Sequence, residues 1–214
     1  MSDVLAIIPA RSGSKGIPGK NVRPLAGRSP LNRALDVCNA CGWTGIVSTD
    51  IPMDQLRDDE DTGPFLGGLC RMAFLARPAR LAQDDTPMID VVKHVLAEIP
   101  GPPDQIIVLL QPTQPLRTPE HVQAAIALLQ RTNATSVVSV VAVPEDLRPE
   151  LLAEIDVRDG QLQPWRWWCE CGTDWNGMPA RRQDAKPAYQ RDGTVYAFRR
   201  HVVARHRNLY GLDC

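Results

Sequence analysis

The chain has 214 residues, of which 43% are hydrophobic and 23% are charged, and its formal net charge is −1. This length allows one α/β domain with a substantial core and a small additional segment. The balanced charge excludes the global basic field that attracts nucleic acid. No apolar run has the length of a membrane span, and the N-terminus lacks the apolar core of a signal peptide. We therefore expect a cytoplasmic protein with neither a membrane nor a nucleic acid as partner.

A basic, glycine-rich loop follows the first predicted strand. The strand is the apolar run Val4–Ile8, and we expect it to end at Pro9, which cannot donate to a sheet ladder. The loop then carries three glycines, at positions 13, 16 and 19, and the cations Arg11, Lys15 and Lys20. Glycines allow close approach to a ligand, and successive N–H groups can bind an anion. The loop therefore predicts a cradle for a nucleotide triphosphate, with a flexible basic surface loop as the alternative.

The common phosphate-loop patterns do not explain this stretch. Walker A requires a glycine where Ser14 stands and a serine or threonine where Asn21 stands. The dinucleotide pattern Gly-x-Gly-x-x-Gly requires a spacing that these glycines do not have. If the loop binds phosphate, it does so through a pattern other than these two.

The next elements follow from hydrophobic periodicity. Residues 31–41 repeat apolar side chains at helical spacing up to Gly42, and residues 45–50 predict a second strand. Thr86-Pro87 should begin a helix with proline at its first position and with an inner stripe of Ile89, Val92, Leu96 and Ile99. Thr118 is a predicted N-cap for a helix that begins at Pro119, and its inward residues are Val122, Ala125, Ile126 and Leu129. Residues 136–143 predict a further strand.

The run 105–110 is almost continuously apolar and predicts a central parallel strand that is covered on both faces. Its carboxyl end continues into the polar stretch Gln111–Arg117. In open α/β sheets, ligands bind beyond the carboxyl ends of the strands, so this stretch is a candidate binding segment. A proline-stiffened turn with Arg117 exposed is the alternative.

Residues 144–187 differ from the rest, because alternation is weak and four of the five tryptophans fall there. Such aromatic residues favour a partner surface, although a locally packed mini-core is also possible. The six cysteines, Cys38, Cys41, Cys70, Cys169, Cys171 and Cys214, should be reduced thiols in a cytosolic protein. A four-thiolate zinc site from Cys38, Cys41, Cys169 and Cys171 is a minor alternative. The acidic run 58–61 suits a solvated surface better than a metal site.

Three motifs resemble the CMP-sialic acid synthetases, or acylneuraminate cytidylyltransferases. They are residues 8–21, residues 111–117 and residues 189–198, and residues 45–50 and 74–87 agree further. The resemblance implies a three-layer α/β nucleotidyltransferase-type fold with a mostly parallel sheet and an inserted dimerisation arm. The nucleotide-binding core would be residues 1–143 plus 188–214, and the arm residues 144–187. The implied reaction joins CTP and an acid sugar to give a CMP-sugar and pyrophosphate, in a homodimer.

The resemblance also implies a set of site residues. The residues that would hold the leaving pyrophosphate are Arg11, Lys15 and Lys20. Those that would contact the nucleotide are Ser14, Asn21, Arg77 and Asp84. Those that would face the acid substrate are Gln111, Thr113, Gln114, Arg182, Gln183, Tyr189, Asp192 and Gly193. The implied cofactor is Mg²⁺, but its ligands are unassigned, because the family's Ile-Asp-Ile-Asp-Thr segment would be expected after Cys214.

Three departures from the family pattern leave alternatives open. Gln114 stands in place of a serine, Asp192 in place of an asparagine, and Met88 in place of a hydroxyl-bearing residue. A carboxylate only accepts hydrogen bonds and repels an acid, whereas an amide also donates. These residues favour a related enzyme with another acid acceptor, such as a phosphonate, or with another nucleotide. The unassigned metal ligands favour a non-catalytic homologue that binds nucleotide.

Overall fold

A computed structural model describes residues 4–56, 72–155, 162–164, 181, 183 and 185–214. The strands of its larger sheet are β1 (Val4–Ala10), β2 (Thr44–Thr49), β3 (Met72–Ala76), β4 (Ile106–Leu109), β5 (Ser136–Ala142) and β8 (Tyr189–Arg199). The smaller sheet consists of β6 (Ala153–Ile155) and β7 (Leu162–Pro164). The helices are α1 (Pro30–Ala40), α2 (Met88–Glu98), α3 (Pro119–Arg131) and α4 (Arg200–Arg205).

The larger sheet is mostly parallel, with strand order β3-β2-β1-β4-β8-β5. β1 is parallel to both β2 and β4, β2 is parallel to β3, and β4 is antiparallel to β8. All residues of β1 and β4 are buried, as expected for central strands with helices on both faces. This confirms the predicted three-layer α/β fold.

Alternate residues of β1 face two different halves of the core. Ala6 and Ile8 pack in a cluster with apolar residues of α1 and α3. Leu5 and Ile7 pack in a second cluster with residues of α2 and α4. Because side chains alternate along a strand, this one segment organises both helical layers. The carboxyl ends of β1, β2 and β4 therefore emerge side by side between those layers.

Side chains cap two of the helices at their N-termini, and one of the two caps, Thr118, was predicted. The side chain of Ser29 accepts a hydrogen bond from the backbone N–H of Asn32 at 3.1 Å, which caps α1. Thr118 forms a capping box with His121 at the start of α3, as its predicted N-cap role requires. The buried residues of α3 are Val122, Ile126 and Leu129, which are three of the four predicted.

Several boundary predictions were wrong. β1 continues through Pro9, which pairs with Ser48 of β2. The pairing with β4 ends at Ile7, so Pro9 lies where the strand has one neighbour, and a missing N–H is tolerated there. Pro87 is extended and precedes α2 instead of beginning it. The buried residues of α2 are Val91, Val92 and Val95, so only one residue of its predicted inner stripe is fully buried.

The chain divides into two compact units, one formed by residues 1–139 and 193–214 and the other by residues 140–192. The predicted arm, 144–187, falls within the second unit. There, β6 and β7 pair antiparallel, and Arg148 donates to the carbonyl of Ala185 at 2.5 Å. The four tryptophans of the predicted arm lie outside the described residues. Among the described helices, none has the length and apolar character needed to cross a membrane.

Candidate active site

The glycine-rich loop leaves the carboxyl end of β1 and is held at both ends. At its start, Ser12 donates twice to Asp50, from its backbone N–H at 2.8 Å and from its hydroxyl at 2.6 Å. At its end, the buried Asn21 donates from its amide to the carbonyl of Arg11 at 2.8 Å. Gly19 has a φ of +63°, a conformation that side-chain-bearing residues rarely adopt. The loop is therefore anchored at both ends, while residues 15–18 between the anchors are exposed.

Two cations of the loop converge on one carboxylate. Arg11 forms an ion pair with Asp84, and the ammonium of Lys15 lies 3.0 Å from the other oxygen of that carboxylate. Hydrogen bonds from Lys15 and then from Arg11 lower the pKa of Asp84 below its usual value of 3.8. Lys15 is 85% exposed, so it can move to another partner. The arrangement gathers positive charge at a position where an anion can exchange with Asp84.

Arg77 supplies a third positive charge, and it is buried. Its guanidinium donates to the hydroxyl of Ser48 at 3.2 Å and to the carbonyl of the same residue at 2.6 Å. Burial lowers its pKa to about 10, with a smaller opposing influence from Asp50 and a smaller lowering influence from Arg11. The side chain is thus still charged near neutral pH. It joins the ends of β2 and β3 while it adds fixed charge behind the loop.

The stretch after β4 is folded by another buried arginine. Arg117 is 6% exposed and donates to the carbonyls of Gln111 at 2.8 Å and Thr194 at 2.5 Å. Gly193 has a φ of +78°, and a Cβ built on it would lie 3.1 Å from the side-chain nitrogen of Gln114. Three of the predicted acid-binding residues, Gln111, Gln114 and Gly193, are therefore neighbours. The alternative of an exposed Arg117 is wrong.

A cavity of about 440 Å³ lies between the glycine-rich loop and the stretch after β4. Its polar lining residues are Lys20, Asn21, Arg23 and Thr113. The rest of the lining is apolar and consists of Ile17, Leu25 and four prolines. The cavity thus brings Thr113, predicted on the acid side, together with Lys20 and Asn21, predicted on the phosphate side.

The structure does not gather the remaining predicted site residues into one place. Ser14 is half-buried in the loop. Gln183 and Tyr189 are exposed and Asp192 is partly buried, all three within the second unit. Arg182 lies outside the described residues.

The sequence profile of the family described as Cytidylyltransferase matches residues 5–211, almost the whole chain. The chain belongs to this cytidylyltransferase family. It is 26% identical over 213 residues to an N-acylneuraminate cytidylyltransferase of Streptococcus agalactiae, covering 96% of this chain and 46% of the relative. It is 27% identical to the CMP-N,N'-diacetyllegionaminic acid synthase of Legionella pneumophila, with 97% of this chain and 82% of the relative covered. The chain thus spans about half the length of the streptococcal relative.

Solved structures support the fold of this cytidylyltransferase-family chain. CMP:2-keto-3-deoxy-manno-octonic acid synthetase, solved in complex with CTP, superimposes with a TM-score of 0.60 at 18% identity. The superposition covers 95% of this chain and 76% of that one. A 4-diphosphocytidyl-2C-methyl-D-erythritol synthase from Anaerococcus prevotii superimposes with a TM-score of 0.52 at 17% identity, with coverages of 95% and 73%.

Two residues that organise the site were not among the predicted site residues. Asp50 anchors the loop through Ser12, and Arg117 joins the two segments that carry Gln111 and Gly193. The polar end of the predicted strand 45–50 was the available signal for Asp50. For Arg117 the signal was its place in the polar stretch 111–117. One of its partners, the carbonyl of Thr194, is 77 residues away along the chain.

Proposed function

We propose that this chain is a nucleotidyltransferase that uses CTP to activate an acid sugar of the sialic-acid type. The observation that carries the proposal is the convergence of Arg11 and Lys15 on Asp84. Cations on a loop beyond the carboxyl end of a parallel strand suit a triphosphate. The names of the streptococcal and Legionella relatives support cytidylyl transfer to an acid sugar.

In this reaction a hydroxyl oxygen of the acid attacks the α-phosphorus of CTP and loses its proton to solvent, the bond to the bridging oxygen breaks, and pyrophosphate leaves. Catalysis of this kind depends on positioning and on neutralising phosphate charge, so no covalent nucleophile is required. Arg11 and Lys15 exchange Asp84 for the β- and γ-phosphates, and Lys20 approaches from the other end of the loop. Asn21 keeps that loop folded through its bond to the carbonyl of Arg11.

The acid acceptor contacts the segment after β4, where Gln111 and Gln114 present amide groups that both donate and accept hydrogen bonds. Arg117 holds this segment against the strand that carries Thr194. A phosphonate acceptor is a second candidate, because Gln114 and Asp192 replace the serine and the asparagine of the family pattern. An amide donor there would serve a phosphonate oxygen as well as a carboxylate.

The cofactor Mg²⁺ is part of the proposal, since it would neutralise triphosphate charge when bound. The described residues do not by themselves fit a magnesium site. They contain no group of three or more His, Cys, Asp or Glu side chains placed to hold a metal. Both oxygens of Asp84 face cations, and both oxygens of Asp50 accept from Ser12. The described residues therefore identify no ligand for the metal.

We also propose that the protein forms a homodimer through its second unit and acts in the cytoplasm. Described apolar side chains of that unit are strongly exposed, at 48% for Val140, 52% for Val141, 55% for Leu147 and 65% for Tyr189. Exposed apolar surface of this kind suits a protein partner. Sedimentation equilibrium at micromolar concentration should give the mass of a dimer, and a pure monomer would contradict this proposal.

The central experiment measures pyrophosphate release from CTP with N-acetylneuraminate, N,N'-diacetyllegionaminic acid, 2-keto-3-deoxy-manno-octonic acid and a phosphonate. UTP and ATP in place of CTP test the nucleotide. We expect turnover with CTP and at least one sugar acid, with Mg²⁺ present. Release of pyrophosphate only with the phosphonate would favour the second candidate. Binding of CTP without turnover on any acid would favour a non-catalytic homologue.

A pair of matched variants tests the loop. Lys15→Ala removes a cation that pairs with Asp84, and Lys93→Ala removes an exposed lysine of α2. We expect the first variant to weaken CTP binding in calorimetry and the second to leave it unchanged. Equal effects of the two substitutions would show that the loop does not bind the triphosphate.

A further inference from the structure

The carboxylate of Asp84 contacts the two loop cations in the way that a bound anion would. Its Oδ1 pairs with Arg11, and its Oδ2 lies 3.0 Å from the ammonium of Lys15. Arg11 also donates to the carbonyl of Ala82 at 3.4 Å, which holds its guanidinium toward the segment that carries Asp84. Carboxylates and phosphates both accept charge-assisted hydrogen bonds through pairs of oxygens. Asp84 is therefore a ligand of the glycine-rich loop that the chain itself supplies.

This contact is open to exchange with a dissolved anion. The side chains of Arg11, Asp84 and Lys15 are 24%, 35% and 85% exposed, so solvent reaches all three. The backbone beside the carboxylate is held separately, because the amide of Gln83 donates to the carbonyl of Ala79 at 2.7 Å. The carboxylate can thus leave the cations by a rotation of its own side chain, while the turn that carries it keeps its shape.

A carboxylate that is tethered beside its cations competes more strongly than a free one. A tethered group acts at an effective concentration of about a millimolar or more. The exchange can also proceed in steps, because a phosphate that releases Lys15 leaves this cation within reach of Asp84. Breaking one exposed ion pair weakens a competing ligand by about 1.5-fold to fivefold, and breaking two weakens it by about twofold to thirtyfold.

We propose that Asp84 is an internal competitor of the phosphate groups, which lowers the affinity of the glycine-rich loop for pyrophosphate and so favours release of that product. The inference rests on the proposed function and adds a regulation of the same site. It gives Asp84 a role opposite in sign to a nucleotide contact, since loss of the carboxylate should tighten binding of CTP and pyrophosphate. CMP has neither a β- nor a γ-phosphate, so its binding should not depend on Asp84.

The experiment compares the full wild-type chain with Asp84→Asn and, as a matched control, Asp85→Asn. Asp85 is exposed and forms no ion pair within the described part of the chain, so its replacement makes the same change of charge one residue away. Calorimetry titrates each protein with pyrophosphate, CTP and CMP. We expect Asp84→Asn to bind pyrophosphate and CTP about twofold to thirtyfold more tightly than wild type, with CMP affinity unchanged. Asp85→Asn should change all three affinities much less.

The sign of the change separates the possible roles of Asp84. Weaker or unchanged binding of pyrophosphate by Asp84→Asn would overturn the proposal, while CTP binding by wild type would leave the proposed function intact. Urea unfolding gives a second readout, because Asp84→Asn should be less stable at neutral pH and still bind pyrophosphate more tightly. A merely structural role would lower both quantities together. If neither protein binds pyrophosphate or CTP, the loop is not a phosphate site, and this proposal is refuted together with the proposed function.

Discussion

Arg117 should be one of the most costly positions to replace outside the apolar core. Its side chain is 6% exposed, and it donates to two backbone carbonyls, those of Gln111 and Thr194. Hydrogen bonds from a charged donor contribute about 1.5–3 kcal/mol each, and a buried carbonyl left without a donor costs a similar amount. Arg117→Met, which keeps most of the volume, should therefore destabilise the protein by about 3–6 kcal/mol. This is a large share of a typical stability of about 5–15 kcal/mol.

Urea unfolding, followed by circular dichroism, measures this cost as a shift of the midpoint at constant slope. Arg117→Lys keeps the charge but cannot reach both carbonyls at once, so it should lose about half as much. Arg131→Met is a matched control, because Arg131 is exposed at the end of α3. A loss below about 1 kcal/mol for Arg117→Met, or a loss equal to that of the control, would refute the reasoning. Such a result would mean that the two hydrogen bonds of Arg117 contribute little to stability in solution.

Three further predictions concern charge and packing. Lys20→Ala should weaken CTP binding by about 1.5–3 kcal/mol in calorimetry, and unchanged affinity would contradict its role. Because the folded pKa of Asp84 lies below 3.8, its carboxylate stabilises the fold above that pH, and this contribution is lost as the pH falls through the folded value. Urea midpoints of wild type and Asp84→Asn should thus differ at neutral pH and converge in acid. Gly45→Ala would place a Cβ 2.4 Å from the sulfur of Met72, so we expect a loss of about 1–3 kcal/mol in the same assay.

The parts of the fold that could be predicted are those with local signals. The helical spacing of residues 31–41 and the capping residue Thr118 each depend on neighbours within a few positions, and α1 and α3 lie where these signals place them. β3 was not predicted as a strand, and its burial does not alternate strictly, because three of its five residues are half-buried and two are exposed. The continuation of β1 through Pro9 depends on which strands pair beside it, and pairing is not a local property.

The same distinction applies to the candidate site. The loop was recognisable because its glycines and cations are contiguous, and the segment after β4 because it follows an apolar run. The partners of these segments were not predictable. Arg11 meets Asp84 across 73 residues, and Ser12 meets Asp50 across 38. No local pattern determines which carboxylate a cation will contact, so only the three-dimensional structure identifies these pairs.

These long-range pairs explain how a cluster of like charges can fold before a ligand arrives. Arg11, Lys15 and Arg77 lie at the carboxyl ends of the strands, and Arg11 opposes the charge on Arg77. Asp50 and Asp84 provide two negative charges, which leaves this group of five with one excess positive charge. An incoming anion must therefore offer more than the single charge of Asp84 to displace it. In the proposed function a triphosphate would do so, because it would contact both loop cations while Asp50 continues to hold the backbone.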